Sequence, residues 1–269
     1  MTSAARALAR HVTVAGRRIE CRFVGRSSAP APVLVFLHEG LGSVAMWRDF
    51  PDRLCAHLGL PGLVYSRLGY GRSDPQPGAR APSFMHDEAT RTLPALLREL
   101  DLRQPILFGH SDGASIALIH AGTFPQQARA VVALAPHLFV EPICVESIAA
   151  ITRDYGASQL RSRLARYHDD ADGAFHGWSD AWLSDAFAAW NIESEVAASR
   201  CPILAVQGED DQYGTMRQIE RIAELRPDAR LLKLPGCRHS PQFDRPDEVI
   251  AATARFLRDL GLAAEAPPT

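Results

Sequence analysis

Lysine is all but missing from this chain of 269 residues: Lys233 is the only one, and the remaining basic side chains are arginine. That bias fits GC-rich coding and marks no site. A surplus of one charge is missing too, since 29 basic against 31 acidic residues leave a formal charge of -2. Such a balance offers no electrostatic footprint for nucleic acid or anionic lipid, so no nucleic-acid partner is expected. Cysteine is scarce. Cys21, Cys55, Cys144, Cys201 and Cys237 are odd in number and far apart, without CxxC or Cys/His zinc spacing, which excludes a disulfide framework and a zinc site and predicts free thiols in the cytoplasm. No window approaches the roughly 18 apolar residues of a membrane span, the first ten residues included, so no membrane partner is expected. Internal repeats are absent, and only the Ala/Pro-rich end after Leu262 is low in complexity and predicted to fray.

What is present is ordinary globular material, 46% hydrophobic and 22% charged, enough to build a core and to rule out disorder as the main state. The length suits one large α/β domain or a domain with an insertion, and the pattern along the chain favours the second. His11 to Val14 and Arg18 to Val24 alternate about a turn at Ala15-Gly16, as a strand pair does. Six continuous apolar runs follow, Pro32–Leu37, Gly62–Tyr65, Pro105–Phe108, Ala130–Leu134, Pro202–Val206 and Ala229–Leu234, of the kind buried on both faces of a parallel sheet. Between them Met46–Leu58, Phe84–Leu100, Asp112–Thr123, Met216–Leu225 and Asp247–Leu260 carry apolar residues at helical spacing. Alternation of this kind predicts an α/β fold with a doubly wound, mostly parallel sheet. Pro94 should kink or split the second helix. The alternation breaks once, from His137 to Arg200, in a stretch holding Trp178, Trp182 and Trp190. We read residues 1–136 and 201–269 as the core and 137–200 as an inserted helical cap.

Gly109-His110-Ser111-Asp112-Gly113 is a G-x-S-x-G pentapeptide lying between a predicted strand and a predicted helix. A serine at that corner sits in a strained turn with its hydroxyl exposed, and the helix N-terminus offers free N–H groups to a developing anion. Serine is a poor nucleophile near neutral pH, so a histidine base and an orienting acid should follow. Both do. Gly208-Glu209-Asp210-Asp211 comes after one strand and Pro235-Gly236-Cys237-Arg238-His239 after the last, giving the chain order Ser, Asp, His. Of ten histidines, only His239 stands in a loop directly after the last strand. His110 should point to the other side of its turn, in a packing role.

Through the elbow, the Gly208–Asp211 loop, His239 and the inserted cap, nearly the whole chain resembles the α/β-hydrolase superfamily. The superfamily's G-x-x-D spacing falls on Asp211 rather than Asp210. The resemblance implies an oxyanion hole made by the backbone N–H groups of Asp112 and of Gly40, in the loop after the strand that ends at His38. Glu39 departs from the common pattern, which has glycine there. A carboxylate aimed into the hole would repel the oxyanion, so Glu39 should pair with Arg67 or Arg72, point away, or bind a cationic or hydroxyl group of substrate, pairing being the first expectation. Leu41-Gly42-Ser43-Val44-Ala45-Met46-Trp47 locally resembles the enol-lactone hydrolases of aromatic catabolism.

Other motifs carry less. Gly69-Tyr70-Gly71-Arg72-Ser73 lacks the full dinucleotide glycine pattern and reads as a structural turn. His168-Asp169-Asp170-Ala171-Asp172-Gly173 lacks the closing glutamate of a calcium loop and reads as a solvated cap loop. His137, at the entry to the cap, can line the pocket or serve as a bonded structural histidine. Most cap aromatics should be core, with two, Trp178 and Trp182 among the candidates, facing the cleft. The expected activity is hydrolysis of a small carboxylic ester, thioester or lactone through an acyl-enzyme, with Ser111, Asp211 and His239 as the triad and no metal or organic cofactor. The same triad also serves hydrolysis of a carbon–carbon bond in a ring-cleavage product, and a receptor or scaffold on this fold would keep these motifs as well. Oligomeric state is not written in the pattern.

Overall fold

A computed structural model describes residues 9–25 and 31–264; residues 1–8, 26–30 and 265–269, with most of the end predicted to fray, lie outside the described residues. Eight strands form one sheet: β1 (Arg10–Val14), β2 (Arg17–Val24), β3 (Leu34–Leu37), β4 (Gly62–Tyr65), β5 (Ile106–His110), β6 (Ala130–Leu134), β7 (Ile203–Gly208) and β8 (Arg230–Leu234). Their order is β1-β2-β4-β3-β5-β6-β7-β8. The β1–β2 hairpin joins antiparallel to β4, and every pairing from β4 to β8 is parallel. The six apolar runs therefore become the parallel strands, as their composition predicts.

Side chains alternate across the sheet and divide the core in two. Val35, Leu37, Leu107, Ala133 and Ala205 fall on one face and Leu34, Phe36, Phe108, Val132 and Val206 on the other. Helices cover both: α1 (Phe50–Leu58), α2 (Phe84–Asp87), α3 (Leu93–Glu99), α4 (Asp112–Thr123), α5 (Pro142–Asp154), α6 (Leu160–Leu164), α7 (Ala171–Trp182), α8 (Glu193–Ala198), α9 (Arg217–Leu225), α10 (Pro241–Asp244) and α11 (Pro246–Asp259). Leu54, Cys55 and Leu58 of α1 and Val249, Phe256 and Leu257 of α11 fill the second face, while α4 is buried on almost every side against the first.

Two expected helices depart from their expected form. Met46–Leu58 breaks at Arg48, whose φ of 54° ends a single turn at Ala45–Trp47 before α1 begins. Phe84–Leu100 is not split but stays helical from Phe84 to Glu99: α2 widens into a π turn at Glu88–Thr92 and continues as α3, whose second residue is Pro94, so the lost N–H is taken up by wider winding rather than by a break. The stretch between β6 and β7 is helical, comprising α5 to α8, with Tyr155 stacked on Phe175 at 3.7 Å and Phe187 on Trp190 at 5.2 Å. Its last helix, α8, packs against α4 and α9.

Candidate active site

The loops leaving the C-terminal ends of β3, β5, β6, β7 and β8 bring the candidate residues together. β5 ends at His110, and the chain turns so sharply into α4 that Ser111 adopts φ 53° and ψ -121°, a conformation costly for a residue with a Cβ. Surrounding bonds impose it. Ser111 N–H donates to the Leu134 carbonyl at 2.9 Å, while Ala114 and Ser115 N–H donate to the Ser111 carbonyl at 2.8 and 3.0 Å. A Cβ on Gly113 would collide with the backbone carbonyl of Leu37, so glycine is what lets α4 press against the end of β3.

Asp211 follows β7 by three residues, buried at 7% exposure, whereas Asp210 is exposed. Its carboxylate accepts from Tyr213 N–H at 2.8 Å and from Gln207 Nε2 at 2.6 Å. His239 Nδ1–H donates to it at 2.8 Å, and Ser111 Oγ–H donates to His239 Nε2 at 2.9 Å. An ionised carboxylate only accepts, so it fixes the proton on Nδ1 and leaves Nε2 free to take one from serine. Burial pushes the Asp211 carboxyl up, but His239 and the Tyr213 amide outweigh it and hold the group below the usual carboxylate range. Backbone bonds from Glu209 N–H to Leu234 O and from Asp210 N–H to Cys237 O, both 3.0 Å, clamp the two loops in register.

Beside Ser111 lies a cavity of about 200 Å³, and Gly40, Asp112, Glu39, His137, Trp178 and Trp182 all stand on its wall. The Trp178 indole covers Gly40 so closely that a Cβ there would overlap it. Trp182 Nε1–H donates to the Asp112 carboxylate at 3.2 Å, and its ring meets the His137 edge at 5.1 Å. Of the three tryptophans after β6, Trp190 is packed into the core instead. His137 is buried; burial pushes it down to about 3, so it is neutral, and its Nδ1 has no partner. Leu41, Cys144, Ile148 and Tyr213 complete the wall. Sequence reasoning did not find them, because apolar residues on helices and in loops look the same whether they face a cavity or a core. Gln207, a polar residue ending an apolar strand, is the one legible signal it passed over.

Three expectations need correction. Glu39 pairs with neither arginine. Arg67 is drawn to the buried Asp112 carboxylate, 3.8 Å away, and donates to the backbone carbonyl of Glu39 at 2.8 Å, while Arg72 pairs with Asp169. The Glu39 carboxylate instead lies 3.6 Å from His110 Nδ1; burial raises its carboxyl, but His110 and the nearby Arg67 hold it below the ordinary range. His110 is buried as expected but does more than pack, since its Nε2–H donates to the His239 carbonyl at 2.7 Å. His168 is not in a solvated loop: it is buried, accepts from Gly71 N–H and donates to the Leu41 carbonyl, both at 2.9 Å. Two turns that approach from β3 and β4 supply those partners, which no local pattern around His168 announces. Among the described residues no group of His, Cys, Asp or Glu is arranged to hold a metal ion, and no helix is long and apolar enough to cross a membrane.

The profile of the Alpha/beta hydrolase family matches residues 34–252. A 2-(acetamidomethylene)succinate hydrolase of Mesorhizobium japonicum is 23% identical over 258 residues, covering 86% of this chain and 90% of that protein. Among solved structures, the enol-lactonase of Burkholderia xenovorans superposes with a TM-score of 0.72 at 20% identity, over 93% of this chain and 100% of that one. An E-2-(acetamidomethylene)succinate hydrolase superposes with a TM-score of 0.71 at 22% identity, over 93% and 99%.

Proposed function

The chain belongs to the alpha/beta hydrolase family, and on that premise we propose that it is a serine hydrolase acting on a small carboxylic ester, thioester or lactone. The observation that carries this is the unbroken relay from Asp211 through His239 to Ser111, at 2.8 and 2.9 Å, opening onto a cavity. In this reading His239 Nε2 takes the Ser111 proton as Oγ attacks the carbonyl, and Asp211 holds the tautomer and stabilises the imidazolium that forms. The amides of Gly40 and Asp112 receive the oxyanion, the latter at the N-terminus of α4, where the helix dipole favours negative charge. His239 then returns the proton to the leaving oxygen or sulfur, and water, activated by the same histidine, cleaves the acyl-enzyme.

A cavity near 200 Å³ walled by Trp178 and Trp182 holds a short chain or one ring, which supports a small acyl group. Similarity to an enol-lactonase and to a 2-(acetamidomethylene)succinate hydrolase supports hydrolysis of a small substrate. Residues 137–200 are read as a cap over core residues 1–136 and 201–269, because α5 and α7 supply Cys144, Ile148, Trp178 and Trp182 to the cavity wall. Five buried, unpaired cysteines are in keeping with the reducing cytoplasm. A chain-length series of 4-nitrophenyl esters tests the reading through kcat/KM. Acyl groups of two to six carbons should react fastest, and rates that climb steadily to twelve carbons would contradict it.

A further inference from the structure

The cavity beside Ser111 carries charge of one sign. Glu39 and Asp112 stand on its wall, and no arginine or lysine is among the described residues that line it. The two carboxylates are not equivalent. Asp112 is fully buried, accepts one hydrogen bond from Trp182 and has Arg67 at 3.8 Å with its Oδ2 left without a hydrogen-bond partner, and burial raises its carboxyl. The Glu39 carboxylate has His110 at 3.6 Å, longer than a hydrogen bond, while Arg67 bonds the backbone carbonyl of Glu39 rather than its side chain. Its carboxyl is held below the ordinary range, and a quarter of its side chain is exposed. Arg67 and Arg80 line a separate cavity with Tyr70 and Glu88, and both guanidiniums lie over the Tyr70 ring, at 4.8 and 4.2 Å.

His137, on the same wall, does not offset this charge. It is neutral, so although it lines the cavity it supplies no positive charge to offset a carboxylate. We propose that this cavity selects acyl donors without negative charge, with Glu39 as the residue that sets the discrimination and His137 as a neutral contact for the acyl part. The inference rests on the serine-hydrolase reading and narrows its substrate class. A carboxylate on the acyl chain would enter a confined, weakly screened space beside another carboxylate, where like charges repel far more than in bulk water. Hydrolysis itself creates an acid in that space, so the same charge favours departure of the product.

Three 4-nitrophenyl esters of matched length test this: the neutral pentanoate, the glutarate half-ester with a free carboxylate, and the 4-(trimethylammonio)butyrate. At low ionic strength kcat/KM for the glutarate ester should lie about tenfold or more below the pentanoate, with the cationic ester not disfavoured. Glu39→Gln should shrink the neutral-to-anionic ratio severalfold. Glu39→Ala should shrink it as well, a second variant that keeps the readout if Glu39→Gln fails to fold. A glutarate ester turned over as fast as the pentanoate would overturn the charge inference while leaving the hydrolase reading intact. Absence of turnover on all three esters, together with no covalent adduct at Ser111, would overturn both.

Discussion

His110 Nε2–H donates to the carbonyl oxygen of His239 at 2.7 Å, so the residue preceding Ser111 also holds the backbone of the histidine that Ser111 bonds. On the proposed serine-hydrolase reading His110 is a positioning residue, acting on the His239 Nε2 to Ser111 distance through the His239 backbone. In His110→Leu the carbonyl loses its donor and the ring its place, and a shift of about 1 Å would cost on the order of a hundredfold in kcat/KM. His110→Gln, which can return an N–H donor, should recover a good part of that loss. Equal losses in the two variants would show that ring volume alone matters at this position.

For the acid, geometry separates two neighbours that differ by one position. Asp211 is buried and accepts from His239, Gln207 and Tyr213, whereas the Asp210 side chain is exposed. Asp211→Asn should lower kcat by about a thousandfold, because an amide no longer dictates which imidazole nitrogen carries the proton. Asp210→Asn should stay within about twofold of wild type, since an exposed side chain rarely contributes more than a few tenths of a kcal/mol. Steady-state kinetics on a short ester reads both, and a larger loss at Asp210 would overturn the assignment.

The periodic features of the chain were legible because each reflects a local rule. Apolar runs became β3 to β8, the helix holding Pro94 widened into a π turn before it, and the spacing after β7 singled out Asp211, the carboxylate that lies against His239. What could not be read was where long side chains go once distant loops meet. Arg67 stands 3.8 Å from the buried Asp112 carboxylate and gives its hydrogen bond to the Glu39 backbone carbonyl rather than to the Glu39 side chain, a choice made between residues far apart in sequence. His168, 97 residues from Gly71, was misjudged for the same reason. The break at Arg48 was missed because nothing in an amphipathic run of thirteen residues flags a single positive φ.

Acid should weaken the fold through histidines buried in neutral form. Burial lowers His137 to about 3 from its ordinary 6.5 and lowers His38, His120 and His168 as well. Below 6.5 the unfolded chain binds protons at these sites while the native His137 does not until pH approaches 3, so stability falls as pH drops through that window. Each such proton contributes a slope of about 1.4 kcal/mol per pH unit. Urea midpoints of wild type should fall steeply from pH 6.5 to 4, and His137→Gln should show a slope shallower by about one proton. Parallel slopes would contradict a neutral, buried His137.

The elbow makes a purely steric prediction. A Cβ on Gly113 would strike the Leu37 carbonyl, a backbone atom of a central strand that cannot step aside. Gly113→Ala should lower the melting temperature by several degrees or abolish soluble expression, as overpacking of 1–3 kcal/mol or more does. The same change at Gly40 meets the Trp178 side chain, which can rotate, so Gly40→Ala should fold and chiefly reshape the cavity. Thermal melts of both variants decide between these outcomes.

The central claim is that Ser111, activated by His239, is the nucleophile. Intact-mass measurement after reaction with an active-site-directed fluorophosphonate tests it most directly, followed by peptide mapping of the adduct. The geometry predicts one adduct per chain, on Ser111, absent from Ser111→Ala and formed much more slowly in His239→Ala. No adduct on the folded wild-type protein, or an adduct on a different serine, would contradict it.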